Sequence, residues 1–134
     1  MIATHVHHVS FAVHELAAAC VFYEKVLGLK AVPRPDLGLP GAWYAAGASQ
    51  IHLIETPEGV DVGKVPDGLT PLADHCAFGI EDYDATLATL KSQGVEILET
   101  RPEIGQLWIR DPDGHILELI DPRGRGAGVR TPDA

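Results

Sequence analysis

Positive charge is scarce: Lys and Arg number 10 against 19 Asp and Glu, a formal net charge of −9. That balance argues against a protein that tracks a phosphate backbone, and no nucleic-acid partner is expected. Cysteine is almost absent. Cys20 and Cys76 sit in apolar settings without CxxC spacing, and read as small buried hydrophobes, which suits a reducing cytoplasm better than a disulfide or redox pair. No apolar run approaches the length of a membrane span. The opening Met1-Ile2-Ala3-Thr4-His5 lacks a basic segment followed by an apolar core, so a cytoplasmic protein without a membrane partner is expected. What remains is a chain of 134 residues, 46% hydrophobic and with 7 histidines. That length holds one core or two small packed modules.

Residues 8–13, His-Val-Ser-Phe-Ala-Val, alternate as a strand with Val9, Phe11 and Val13 on one face and His8, Ser10 and Ala12 on the other. Glu15 to Leu27 supplies a covering helix, with Leu16, Ala19, Cys20, Tyr23, Val26 and Leu27 at helical spacing and Gly28 as its stop. Lys30–Val32 reads as a short strand, and the Pro/Gly-rich loop 33–41 as irregular. Ala42–Ala46 and Gln50–Glu55 read as strands joined by a turn. The run from Thr56 to Leu72 is a linker.

The pattern then restarts. Asp74-His75-Cys76-Ala77-Phe78-Gly79-Ile80 repeats the first strand, with His75 67 residues after His8. Again a bulky face (Cys76, Phe78, Ile80) opposes a small one (Ala77, Gly79) that carries the histidine. A helix over 82–93 follows, with Asp82 as N-cap, Tyr83, Leu87 and Leu90 inward and Gly94 as stop. Val95–Glu99, Gly105–Arg110 and His115–Ile120 are the remaining strands, the last two joined by the turn sequence Asp111-Pro112-Asp113-Gly114. The expected fold class is α+β: two tandem βαβββ modules, 1–56 and 73–121, with a linker at 57–72 and a flexible tail at 122–134.

The repeat also places the chemistry. Module one carries His8 on its first strand and His52 44 residues later; module two carries His75 and, 43 residues later, Glu118. Glu118 stands inside Ile116-Leu117-Glu118-Leu119-Ile120, where a carboxylate is costly to bury unless it is paired or bound to a cation. A lone histidine is more often structural. Four imidazole or carboxylate groups at matching places of a repeat, on faces kept open by small residues, match a first-row divalent metal site in number and type.

His7-His8-Val9-Ser10-Phe11-Ala12-Val13, Phe22-Tyr23-Glu24-Lys25-Val26-Leu27-Gly28-Leu29, Ile51-His52-Leu53-Ile54-Glu55, Asp74-His75 and Asp111-Pro112-Asp113-Gly114 with Glu118 resemble the vicinal oxygen chelate superfamily. That group includes glyoxalase I, methylmalonyl-CoA epimerase, extradiol dioxygenases, fosfomycin-modifying enzymes and bleomycin-binding proteins. The loop Arg34-Pro35-Asp36 with Gly41-Ala42-Trp43, followed by Ile-His-Leu, is most similar to glyoxalase I-like members. The resemblance implies paired modules around a metal-centred cleft holding one divalent transition metal (Zn, Ni, Co, Fe or Mn).

Carried over by position, His8, His75 and Glu118 match the ligand positions of metal-dependent members. His52 stands at the fourth, where glyoxalase I has Glu. A metal-bound neutral imidazole is a poor replacement for the carboxylate implicated there in moving the substrate proton. One carboxylate and three neutral imidazoles leave a divalent ion at about +1, which favours an anionic, oxygen-chelating substrate. Glu118 and His52 are the expected catalytic residues. Ser10, Trp43, Trp108 and Arg110 are expected at the substrate: Ser10 shares the face of His8 and matches a Thr used by fosfomycin thiol transferases. His7 is expected to point away from His8, and His5, His14 and His115 have no repeat-supported partner. Glu24 and Glu55 find no role. The function expected is a metal-dependent lyase or isomerase of the glyoxalase kind, cytoplasmic, a homodimer, acting on a small molecule. The alternatives are an extradiol-type dioxygenase with a His-His-Glu iron site, which needs His52 off the metal, and a metal-free antibiotic-binding protein.

Overall fold

The computed structural model describes residues 1–125. The chain divides into two compact units, Met1–Lys64 and Val65 onward, the boundary falling inside the segment read as a linker. In the first unit, β1 (His8–Val13) leads into α1 (Leu16–Val21), which continues as a π-helical turn over Phe22–Val26. β2 (Lys30–Val32), β3 (Gly41–Ala46) and β4 (Ser49–Glu55) follow. They form a sheet of order β1-β4-β3-β2, with β1 parallel to β4 and the other pairs antiparallel.

Directly paired residues share a sheet face, so the register sorts every side chain. One face buries Phe11, Val13, Tyr44, Ile51 and Leu53 beside Ala19, Phe22 and Tyr23. The Tyr23 ring lies 6.3 Å from Tyr44 and 6.0 Å from Phe11. Each such fully buried apolar side chain contributes roughly 1.5–3 kcal/mol. The π-turn explains how neighbours Phe22 and Tyr23 are both buried: Leu27 N–H reaches back to the Phe22 carbonyl at 3.2 Å, and the widened turn holds consecutive residues against the sheet. Glu55 and Glu24, without a role in the sequence, have structural ones. The Glu55 carboxylate accepts the Leu16 N–H at the start of α1 (2.9 Å), and Glu24 accepts the Tyr44 hydroxyl (2.7 Å).

In the second unit, β5 (His75–Gly79) leads into α2 (Tyr83–Ser92), then β6 (Gln106–Arg110) and β7 (Ile116–Ile120). The sheet order is β5-β7-β6, with β5 parallel to β7. As expected, Asp82 caps α2, accepting the Ala85 N–H at 2.8 Å, and Tyr83, Leu87 and Leu90 are buried. Asp111 organises the turn between β6 and β7 by accepting the N–H groups of Asp113 and His115, both at 2.9 Å.

The expected strand at Val95–Glu99 is a correction: it is reduced to a single bridge between Leu98 and Trp108. The Val95 N–H closes α2 on the Leu90 carbonyl, 3.2 Å away. Glu96 is paired with Arg110 and Glu99 accepts the Tyr83 hydroxyl. Acids three apart also break the alternation that a ladder needs. Of the expected tail, Arg123 binds Asp121 and the Glu81 carbonyl and Arg125 binds Asp84; residues 126–134 lie outside the described residues. No helix among the described residues is long and apolar enough to cross a membrane.

Candidate functional site

The face of each sheet turned away from its helix holds the candidate residues. In the first unit, His52 on β4 is flanked by Ser10 on β1 and Trp43 on β3. In the second, Glu118 on β7 is flanked by Ala77 on β5 and Trp108 on β6. His52 and Glu118 thus hold the same register position, each between a small residue and a tryptophan, and His8 and His75 each stand two residues before that small neighbour. The internal repeat seen in the sequence is a repeat of the sheet face.

The two faces arrange their donors differently. His75 Nδ1 lies 2.8 Å from the Ala73 carbonyl. A carbonyl oxygen only accepts, so Nδ1 carries a proton. Nε2 faces Glu118 Oε1 at 3.2 Å: an ion pair when the ring is protonated and, in the neutral ring, two acceptors that need a cation between them. A carboxylate oxygen and an imidazole nitrogen bound to one tetrahedral ion at about 2.0–2.1 Å stand roughly 3.3–3.4 Å apart, close to the distance seen. The Gln106 side-chain amide donates to the other carboxylate oxygen (3.1 Å), and Trp108 packs edge-on against His75, its ring centre 4.7 Å away. Trp108 is held in turn by its Nε1–H bond to Thr100 (2.8 Å). Glu118 and Trp108 are buried. These supports fix ring and carboxylate as the surroundings of metal ligands do, and the pair fits a divalent transition ion.

In the first unit, His52 is sandwiched. The His8 ring is stacked on it at 4.0 Å and 15°, and the Trp43 ring at 4.3 Å and 7°. Ligation runs along the in-plane lone pair at about 2.0–2.1 Å. Rings this nearly parallel hold their lone pairs in separate layers, so His8 and His52 do not both reach one ion in this arrangement. His52 Nε2 instead lies 2.8 Å from Gln50 Oε1, which makes Nε2 the donor and Nδ1 the bare nitrogen. Burial, then the charges of His8, His7 and Arg34, hold the His52 pKa below the ordinary imidazole value. His8 itself is exposed, with its Nδ1 2.9 Å from His7 Nδ1. The expectation that His7 turns away is therefore corrected: His7 precedes β1, so strand alternation does not govern it.

Ser10 is exposed beside His52. Arg110 is tied to Glu96 (2.9 Å) and to the Asp67 carbonyl (3.2 Å). Among the described residues no three or more His, Cys, Asp or Glu gather as a metal-holding group; the donors come in pairs. The residues sequence reasoning missed are Gln50, Gln106 and Arg34. The two glutamines stand two positions before His52 and Trp108, so strand parity places them on the same faces.

Two sheets with few helices, repeated in one chain, define an α+β protein of the glyoxalase-like kind. The family model described as the Glyoxalase/Bleomycin resistance protein/Dioxygenase superfamily matches residues 5–119, and the chain belongs to that superfamily. It is 30% identical over 124 residues to Glyoxylase I 4 of Arabidopsis thaliana, covering 88% of this chain and 71% of that one. It is also 30% identical over 122 residues to Metallothiol transferase FosB of Shouchella clausii, covering 85% and 77%. The fold matches the crystal structure of TnmS3, an antibiotic binding protein from Streptomyces sp. CB03234, with a TM-score of 0.70 at 24% identity, over 91% of this chain and 98% of that one.

Proposed function

We propose that this chain is a divalent-metal-dependent enzyme of the lyase or isomerase type, working in the cytoplasm on a small anionic substrate with two adjacent oxygens. The observation that carries the reading is the His75–Glu118 pair: an imidazole nitrogen and a buried carboxylate oxygen 3.2 Å apart, oriented from behind by Ala73 and Gln106. When bound, the ion supplies Lewis acidity toward substrate oxygens. The rest of the reading belongs to protein side chains. Gln106 keeps Glu118 Oε1 turned to His75. His52, stacked rather than ligated, offers Nδ1 as proton acceptor, a role closed to a metal-bound imidazole. Trp43 and Ser10, which flank it, are the proposed substrate contacts, with Trp108 as the support of His75.

A second reading is favoured by one observation. His75 and Glu118 combine an imidazole and a carboxylate within one unit, the donor types of oxygen-using iron sites. One experiment separates the two. Chain loaded in parallel with Ni, Zn, Mn or Fe(II) is assayed with a 2-oxoaldehyde–thiol adduct and, for oxygen uptake, with a catechol. Adduct turnover that falls at least about a hundredfold in Glu118→Gln supports the lyase or isomerase. Catechol-dependent oxygen uptake with Fe(II) alone replaces it with the dioxygenase.

A further inference from the structure

Arg34 lies outside regular structure, yet it is placed. The β2–β3 register pairs Val32 with Trp43, and continued by two residues it sets Arg34 opposite Gly41. A side chain on Gly41 would meet the Arg34 guanidinium at 2.8 Å, as well as the Leu53 carbonyl. The guanidinium therefore rests where glycine leaves the sheet bare, on the face that carries His52 and Trp43. Its Nε–H is buried and has no hydrogen-bond partner.

Three arginines of the second unit, unlike the exposed Arg101, show what is missing. Arg110, Arg123 and Arg125 each hold a carboxylate. Arg34 holds none among the described residues, in a chain with a net charge of −9. The nearest acid in sequence, Asp36, is turned to the Gly38 N–H at 3.0 Å. Buried N–H groups are paired in folded proteins. A half-buried guanidinium with an unpaired N–H, held beside an imidazole and an indole, lacks a partner that the chain does not provide. A guanidinium edge matches the two oxygens of a carboxylate or phosphoryl group.

We propose that Arg34, seated on Gly41, is an oxyanion-binding residue that takes the carboxylate or phosphoryl group of the ligand on the face of the first sheet. The site uses residues of the first unit alone. It deepens the anionic-substrate reading above without needing a metal, so the two fail separately.

The test uses the full chain, stripped of metal and exhaustively dialysed. Acetate and inorganic phosphate are titrated in while backbone and indole NMR shifts are followed at Gly41, Trp43 and His52. Saturable binding of one or both anions is expected, the stronger of the two naming the group. Arg34→Gln is expected to weaken it at least about tenfold and Arg34→Lys less, since Lys keeps the charge and loses the fork. Glu118→Gln, which removes the proposed metal ligand, is expected to bind the anion as the wild type does. A thermal melt of Arg34→Gln confirms that the variant is folded. No saturable binding by the wild type, or equal binding by a folded Arg34→Gln, overturns the proposal whatever the metal result.

Discussion

His75 on β5 and His52 on β4 both lie on the candidate faces, and their neighbours hold them differently. The Ala73 carbonyl accepts the His75 Nδ1–H and leaves Nε2 facing the Glu118 carboxylate, whereas His52 is bonded to Gln50 and stacked between two rings. The buried tyrosines show the same dependence on surroundings. Tyr44 is fully buried, and burial first, then its bonds to Cys20 and Glu24, push its pKa well above the ordinary value of 10.0. The unfolded chain therefore loses this proton first as pH rises. The stability tied to it is fully present below about pH 10 and is lost progressively above. We expect Tyr44→Phe to be less stable at neutral pH by about 1 kcal/mol, the net worth of the bond to Glu24, and to show a shallower loss of stability between pH 10 and 12. Chemical denaturation across that range checks it; parallel pH profiles would contradict it.

The positions of His8, His52, His75 and Glu118 were legible in the sequence because strand parity and a repeat both report on them. Their pairing was not. Ring stacking, the His75 tautomer and the seat of Arg34 depend on contacts between residues far apart in sequence, and no period records those.

At the scale of elements, legibility followed the strength of the local pattern. β1, β7 and α2 were read nearly to the residue, since alternation, an Asp cap and a glycine stop agree there. The π-turn after α1 was read as ordinary helix, because apolar spacing does not distinguish a turn widened by one residue. Val95–Glu99 has strand-like composition, but Glu96 is drawn to Arg110 and Glu99 to Tyr83, and one bridge is all that forms. The segment that follows turns on Gly105, which has φ +82 and whose missing side chain leaves room for the Asp121 carbonyl. The Asp121 N–H also binds the Gly105 carbonyl at 3.0 Å, tying the start of β6 to the end of β7. Gly105→Ala combines left-handed strain with a backbone collision, and we expect it to destabilise the chain by about 2–4 kcal/mol. A thermal or urea melt measures this. A loss under about 0.5 kcal/mol would show that the contact relaxes freely.

Across the whole molecule, one sheet-face design occurs twice with different chemistry: imidazole between Ser10 and Trp43, carboxylate between Ala77 and Trp108. The family match, residues 5–119, spans both copies of the face. The individual side chains on it decide what it does, and superfamily members with the same fold differ in function. The central claim is that the second face holds a metal through His75 and Glu118, with His52 outside the coordination shell. Elemental analysis of untagged protein, beside Glu118→Ala and His52→Ala, tests it most directly. We expect about one equivalent of a divalent transition metal per chain in the wild type, its loss in Glu118→Ala and its retention in His52→Ala. Absence of metal from the wild type, even after soaking in Zn, Ni, Co, Mn and Fe(II), would contradict the enzyme reading and leave a small-molecule-binding protein.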